Sequence, residues 1–295
     1  MTTPKPTIIL VHGAWHSPEH FQPLEEALRS HGYRTVSPWL PSMHYERLNA
    51  PPVSGIDDDV SAIRGAIVSE LASSPAVDVV LVSHSYGTVP AGAAIKDLDK
   101  SSRAWAGHRN GVTALLIISG LLAPPGISLL DWNGGQVPPT MAISTITSPV
   151  DPTREVKVCA PVSEPGPIAL FYHDLAESDA QAAQRYASLC TPQVWAVHKT
   201  PVPFAPWKPG PKSDPGLDLF YLVCEEDRGL PAAFQRTMIE GTDRDIAAAH
   251  QAGSAREDEA RKIHVTSINS GHFPFLSRVD ETTQWVRRCC GEEEV

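Results

Sequence analysis

The chain of 295 residues carries 24 Lys and Arg against 34 Asp and Glu, a formal net charge of -10. That balance, with no block of basic residues, excludes a nucleic-acid or anionic-membrane surface, and no apolar run approaches the roughly 18 residues of a membrane span. Cys159, Cys190, Cys224, Cys289 and Cys290 are odd in number and lack C-x-x-C spacing, which speaks against a disulfide framework or zinc knuckle and for a reducing, cytoplasmic compartment.

The run Thr7-Ile8-Ile9-Leu10-Val11 is continuous and β-rich, the pattern of a parallel strand buried on both faces. It begins so early that no signal peptide is expected before it. Residues 17–31 predict an amphipathic helix with Ser17 as cap and Pro18 at its first position. A strand follows at Tyr33–Val36. The next helix opens on Asp57-Asp58-Asp59, a triplet read as complementing the helix dipole rather than binding metal. Residues 78–82 form a strand, 87–98 a helix, and Val112–Ile118 a strand again. This alternation predicts an α/β fold around a doubly wound, mostly parallel sheet.

Residues 124–215 differ, holding 16 of the chain's 28 prolines. Proline so dense cannot lie in interior strands, so the segment must leave the sheet. Helices are expected near 169–175 and 178–189. Its Trp132, Phe171, Tyr172, Trp195, Phe204 and Trp207 are too many large apolar side chains for a linker, so it reads as a cap over a core made of 1–123 and 216–295. Asp218–Cys224 restores the sheet. Residues 242–262 read as a helical insertion, and Ile263–Ile268 is the last strand, with His264 packed in the core.

Ser85 sits in Val82-Ser83-His84-Ser85-Tyr86-Gly87, an apolar strand breaking into a tight turn whose apex is a hydroxyl flanked by small residues. A serine hydroxyl needs a base to take its proton and a third group to hold that base in one tautomer. Asp227 and His272, each just past a predicted strand, supply them in the order Ser, acid, His, at the sheet edge where open α/β sheets bind ligands. Asp227 is favoured over Glu225 and Glu226, which precede the bend. The backbone N–H groups of Ala14 and Tyr86 are placed to receive a developing oxyanion, Gly13 allowing close approach. His12, His16 and His20 repeat every four residues, but Pro18 interrupts any common helix and no carboxylate completes a ligand set, so no metal is expected; His16 is read as lining the site entrance. Without a G-x-G-x-x-G after a strand or a lysine suited to pyridoxal phosphate, no cofactor is expected either.

The segments Val11-His12-Gly13-Ala14-Trp15, Ser83-His84-Ser85-Tyr86-Gly87, Val223 to Pro231 and Ser270-Gly271-His272-Phe273-Pro274 together resemble the α/β-hydrolase branch of plant methylester esterases and hydroxynitrile lyases. The resemblance spans nearly the whole chain and departs from G-x-S-x-G at Ser83. The expected architecture is that of this fold with a helical, Pro-rich cap, residues 124–215, inserted after the sixth strand. That cap would roof an apolar pocket, to which Gly13, Trp15, His16, Trp132, Phe171, Trp207 and Phe273 are assigned. The lyases carry threonine where Gly13 stands and lysine where Phe273 stands, so esterase chemistry is favoured.

The leading expectation is a serine hydrolase forming an acyl-enzyme from a small to medium, largely apolar ester or lactone. The same residues also suit C–C hydrolysis of a β-diketone, a lyase step or a cyclisation, since fold does not dictate reaction. A ligand receptor retaining the pocket is the reading from a different class. The partner is a small molecule; oligomeric state is not legible, a homodimer being compatible.

Overall fold

In the computed structural model, residues 4–207, 217–251 and 263–292 are described. Six parallel strands run in the order β2-β1-β3-β4-β8-β9: β1 Thr7–Val11, β2 Thr35–Val36, β3 Val79–His84, β4 Val112–Ile118, β8 Asp218–Cys224 and β9 Ile263–Ile268. Ile8, Ile9, Leu10 and Val11 of β1 and Leu115 to Ile118 of β4 have no exposed surface, because helices cover both faces of the sheet. The register aligns the strand ends: Val11 lies opposite Ser83, His84 opposite Ile118, and Cys224 opposite Ile268. Five loops therefore leave one edge together, beginning at His12, Ser85, Ser119, Glu225 and Asn269.

The insertion lies between β4 and β8, and it is more than helical. β5 Met141–Ser148, β6 Asp151–Pro161 and β7 Gln193–Val194 form a separate antiparallel sheet in the order β5-β6-β7. The prolines permit this because they sit where no ladder donor is lost: Pro149 in the turn, Pro152 and Pro161 near the ends of β6. Ile143, Ile146, Val156 and Val158 supply the β-branched positions packed on the core. The helices Gly166–Phe171, His173–Ser178 and Ala180–Ser188 follow β6.

Two other expectations change. His264 is exposed and stacks on Phe220 at 5.1 Å, because β9 is an edge strand whose middle residues, 264–267, are exposed on both faces. Residues 242–251 continue the helix Ala232–Gln251; the remainder of the expected insertion, 252–262, lies outside the described residues, as do 208–215 of the cap. Among the described residues, no helix is long and apolar enough to cross a membrane.

A buried carboxylate fastens the insertion to the core. Asp174 accepts hydrogen bonds from the Gly271 amide at 2.8 Å and the hydroxyls of Ser270 and Ser277 at 3.0 and 2.5 Å, and Gly271 has no side chain because a Cβ would stand 2.6 Å from Asp174 Oδ1. Burial alone would raise the Asp174 pKa, but the bonds from Ser277, Gly271 and Ser270 outweigh it and hold the group below its ordinary value. A depressed carboxylate pKa stabilises the fold above the unfolded-state value and ceases to do so as pH falls through the folded one. Asp174→Ala is expected to cost about 3 kcal/mol at pH 7, measured by urea unfolding, with the difference from the parent shrinking at acid pH.

Candidate active site

Ser85 stands at the apex between β3 and the helix Thr88–Ala94, with φ 53°. A non-glycine residue in this left-handed region carries strain that the surrounding packing must hold. Gly87 is required on the far side of the turn, since a Cβ there would lie 2.3 Å from the His12 carbonyl oxygen and 2.9 Å from that of Val11. Ser83, two positions before the apex, is accommodated with its hydroxyl paired to Thr88 Oγ1 at 3.1 Å. Gly13 crosses directly over the turn: a Cβ would come within 3.0 Å of both Ser85 Cβ and His84 Nδ1.

Asp227 and His272 meet at the same edge, buried to 6% and 4% exposure. His272 Nδ1–H donates to Asp227 Oδ2 at 2.6 Å, which leaves Nε2 with an unprotonated lone pair, the tautomer a general base requires. The other oxygen, Asp227 Oδ1, accepts the amides of Gly229 and Leu230 at 2.8 and 2.7 Å. Glu225 is exposed and pairs with Arg236 instead. Ser85 is linked to this pair through its neighbour: His84 Nε2–H donates to the His272 carbonyl at 2.9 Å, and the two rings lie 4.5 Å apart.

Ser119 is the residue that sequence reading missed. It follows β4 with φ 43°, its hydroxyl donates to Asp227 Oδ2, and it lies 3.2 Å from His272 Nδ1. A polar residue and Gly120 closing an apolar strand were the only local signal. Gln235, 3.2 Å from Asp227 Oδ2, completes the cage around the carboxylate.

The residues assigned to the pocket fall into two groups. Trp132 and Trp207 line a cavity of about 830 Å³ together with Leu121, Trp195, His198 and Arg228. The cavity borders the site through chain neighbours, for Leu121 N–H donates to the Ser85 carbonyl at 3.3 Å and Arg228 follows Asp227. Trp15, His16, Phe171 and Phe273 instead form a buried aromatic layer beside His272: Phe171 lies 5.5 Å from His272 and 5.7 Å from Trp15, and His16 lies 4.4 Å from Phe273. With 2% exposure, His16 is part of that buried layer rather than at an entrance.

His12 turns away to pack on His44 at 5.4 Å, whereas His16, His20 and Cys190 bring ligand atoms within 4.8 Å of one another. Their hydrogen bonds leave no free ligand set. The Ser17 amide donates to His20 Nδ1 at 3.1 Å, so Nε2 is protonated toward the Tyr186 carbonyl at 3.2 Å. His16 Nδ1–H donates to the Ala14 carbonyl at 2.5 Å, and its Nε2 accepts from the Tyr172 hydroxyl at 2.6 Å. Burial pushes the pKa of Cys190 up to about 11 and that of His20 down to about 4, so both groups are neutral at pH 7. Burial likewise holds His12, His16 and His84 well below the ordinary value of 6.5.

The sequence profile of the alpha/beta hydrolase family matches residues 8–285. Alpha/beta hydrolase nvfD of Aspergillus novofumigatus is 30% identical over 295 residues, covering 98% of each chain. Among solved structures, polyneuridine aldehyde esterase superposes with a TM-score of 0.67 at 16% identity, over 97% of this chain and 99% of that one. A pyrethroid hydrolase from Sphingobium faniae JZ-2 gives 0.65 at 17%, over 98% of both chains. Tomato methylketone synthase I complexed with 2-tridecanone gives 0.64 at 16%, over 97% and 98%. These structural likenesses establish the fold.

Two measurements follow from the geometry. Gly87→Ala is expected to lose about 3 kcal/mol or more, since the new methyl group meets backbone that cannot yield, whereas Ser83→Gly should cost only about 1 to 2 kcal/mol for the hydroxyl's two neutral hydrogen bonds, to Thr88 Oγ1 and the Leu116 carbonyl; urea unfolding separates them. Because the buried histidines bind protons more weakly folded than unfolded, stability is lost as pH falls from about 6.5 toward 4, visible as a falling Tm.

Proposed function

The chain belongs to the alpha/beta hydrolase family, and from that premise we propose that it is a serine hydrolase cleaving a carboxylic ester or lactone of a small to medium, largely apolar molecule. The observation that carries the reading is the 2.6 Å bond from His272 Nδ1 to Asp227, at the same sheet edge as a serine held at φ 53°. Ser85 is the nucleophile. His272 Nε2 takes its proton as Oγ attacks the carbonyl, and Asp227 keeps the ring oriented and stabilises the imidazolium. The amides of Ala14 and Tyr86 receive the oxyanion, Tyr86 lying at the start of a short helical turn where N–H groups lack intrahelical partners. Such donors lower the barrier by roughly 3 to 4 kcal/mol each. The imidazolium then protonates the leaving alcohol, and water, activated by the same imidazole, releases the acid from Ser85.

We assign 124–215 as the substrate cap and 1–123 with 216–295 as the core. The apolar walls of the cavity, Trp132, Trp207 and Leu121 among them, favour the acyl or alcohol portion of a hydrophobic ester. All five cysteines are free thiols, which supports a cytoplasmic setting. A second reading keeps the same residues for C–C bond cleavage of a β-dicarbonyl compound. Its support is the shared fold of tomato methylketone synthase I, solved with 2-tridecanone and with β-ketoheptanoate.

A fluorophosphonate is expected to label the parent and not Ser85→Ala, with p-nitrophenyl ester turnover falling by about 10⁴-fold or more in the variant. An unlabelled parent, or a variant that retains turnover, overturns the hydrolase reading. Cleavage of a β-diketone by a parent that leaves simple esters untouched selects the second.

A further inference from the structure

The acidic triplet that opens the helix Asp57–Ser73 divides between two environments. Asp57 and Asp58 are exposed and complement the positive end of the helix. Asp59 has no exposed surface, and among the described residues it has no ion-pair partner. A buried carboxylate without a cation is costly and persists where hydrogen bonds demand it.

Three donors converge on it. The Ser42 amide donates to Asp59 Oδ1 at 2.8 Å; the Ser42 hydroxyl and the Tyr86 hydroxyl donate to Oδ2 at 2.6 and 2.8 Å. The polarity beyond Ser42 is fixed as well. Gln193 Nε2–H donates to Ser42 Oγ at 3.1 Å, leaving that hydroxyl's single hydrogen for Asp59, and Gln193 Oε1 accepts from His198 Nε2–H at 3.0 Å. Every hydrogen in the chain His198, Gln193, Ser42 points toward Asp59, and Tyr86 meets it from the other side. An ionised carboxylate accepts all three with no proton of its own to place; an asparagine would turn an N–H₂ toward a donor.

The two ends of this chain are functional surfaces. His198 lines the 830 Å³ cavity and lies 5.8 Å from the Tyr86 ring. Tyr86 adjoins the nucleophile. We propose that Asp59 is a positioning residue: it fixes Tyr86, and with it the amide that receives the oxyanion, and couples that amide to the cap wall through Ser42, Gln193 and His198. The inference rests on the hydrolase reading and adds to it a group that never touches substrate.

Burial, opposed by its hydrogen bonds, sets the Asp59 pKa at about 6. The groups facing it are Asp58 on its own helix and Tyr86 on the elbow, with His198 and Cys159 beyond them on the cap. Because this carboxyl is raised above its unfolded value, its ionisation lowers stability as pH rises toward 6, whereas replacing it leaves buried donors without an acceptor and lowers stability as well. Protonation below about pH 6 weakens the hold on Tyr86.

The test is the rate at which a fluorophosphonate phosphonylates Ser85 between pH 5 and 8, in the parent, Asp59→Asn, Tyr86→Phe and the double variant, with Tm measured alongside. Tyr86→Phe removes one donor and keeps the ring, so it serves even if Asp59→Asn fails to fold. The expected result is a fall of about ten-fold in each single variant at pH 8. The double variant should fall no further, every variant should remain folded at the assay temperature by its Tm, and the variants should lack the parent's added loss of rate below pH 6. A labelled parent with singles that react at its rate, or losses that add in the double variant, or a rate loss accounted for by the fraction unfolded at the assay temperature, overturns the positioning role. A parent that is not labelled overturns the hydrolase reading, and the role with it.

Discussion

A parallel sheet buried on both faces can present reactive groups only from its ends. In this chain the register places the C-terminal ends of β1, β3, β4, β8 and β9 along one edge, so His12–Trp15, Ser85, Ser119, Asp227 and His272 share a single rim. Strand pairing, not any local signal around these residues, fixes their proximity. The strained turn at Ser85 depends on that same pairing, because Gly87 is pressed against the carbonyls of Val11 and His12 on the neighbouring strand.

The cap is held to this rim by buried polar bonds as well as by apolar packing. Trp15 Nε1–H reaches the Cys159 carbonyl at 3.1 Å, Asp174 gathers donors from the loop that carries His272, and Gln193 reaches Ser42. Each bond has one partner on either side of the boundary, and each lies within one or two residues of a group in the site. Loosening the cap therefore leaves buried donors and acceptors unpaired, a larger loss than the bonds themselves contribute. Cap docking and the geometry of the site are one event.

The electrostatic character of the rim follows from burial. His12, His16, His20, His84 and His198 are all pushed below their ordinary pKa, first by desolvation, and their tautomers are set by backbone and side-chain partners. Neutral imidazoles and aromatic rings thus surround His272, which among the described residues is the histidine that faces a carboxylate at hydrogen-bond distance. Such surroundings suit an apolar substrate and strengthen any dipole aimed at developing charge.

The apolar runs of the core, the turn around Ser85 and the loops carrying Asp227 and His272 were legible in the sequence because each is a local pattern: a continuous β-rich stretch ended by small or polar residues. The cap's three-stranded sheet was not, since its prolines are harmless only at the turn and strand ends that tertiary pairing defines. Nor were the roles of Asp59, Asp174 and Ser119, whose decisive partners Tyr86, Gly271 and Asp227 stand 27, 97 and 108 positions away. The sequence by itself determined which apolar runs form the parallel strands and the order in which those strands bring Ser85, Asp227 and His272 to their ends. Tertiary structure alone decided which polar groups are sealed from water, and a carboxylate or hydroxyl acquires its function from the donors and acceptors that replace water around it.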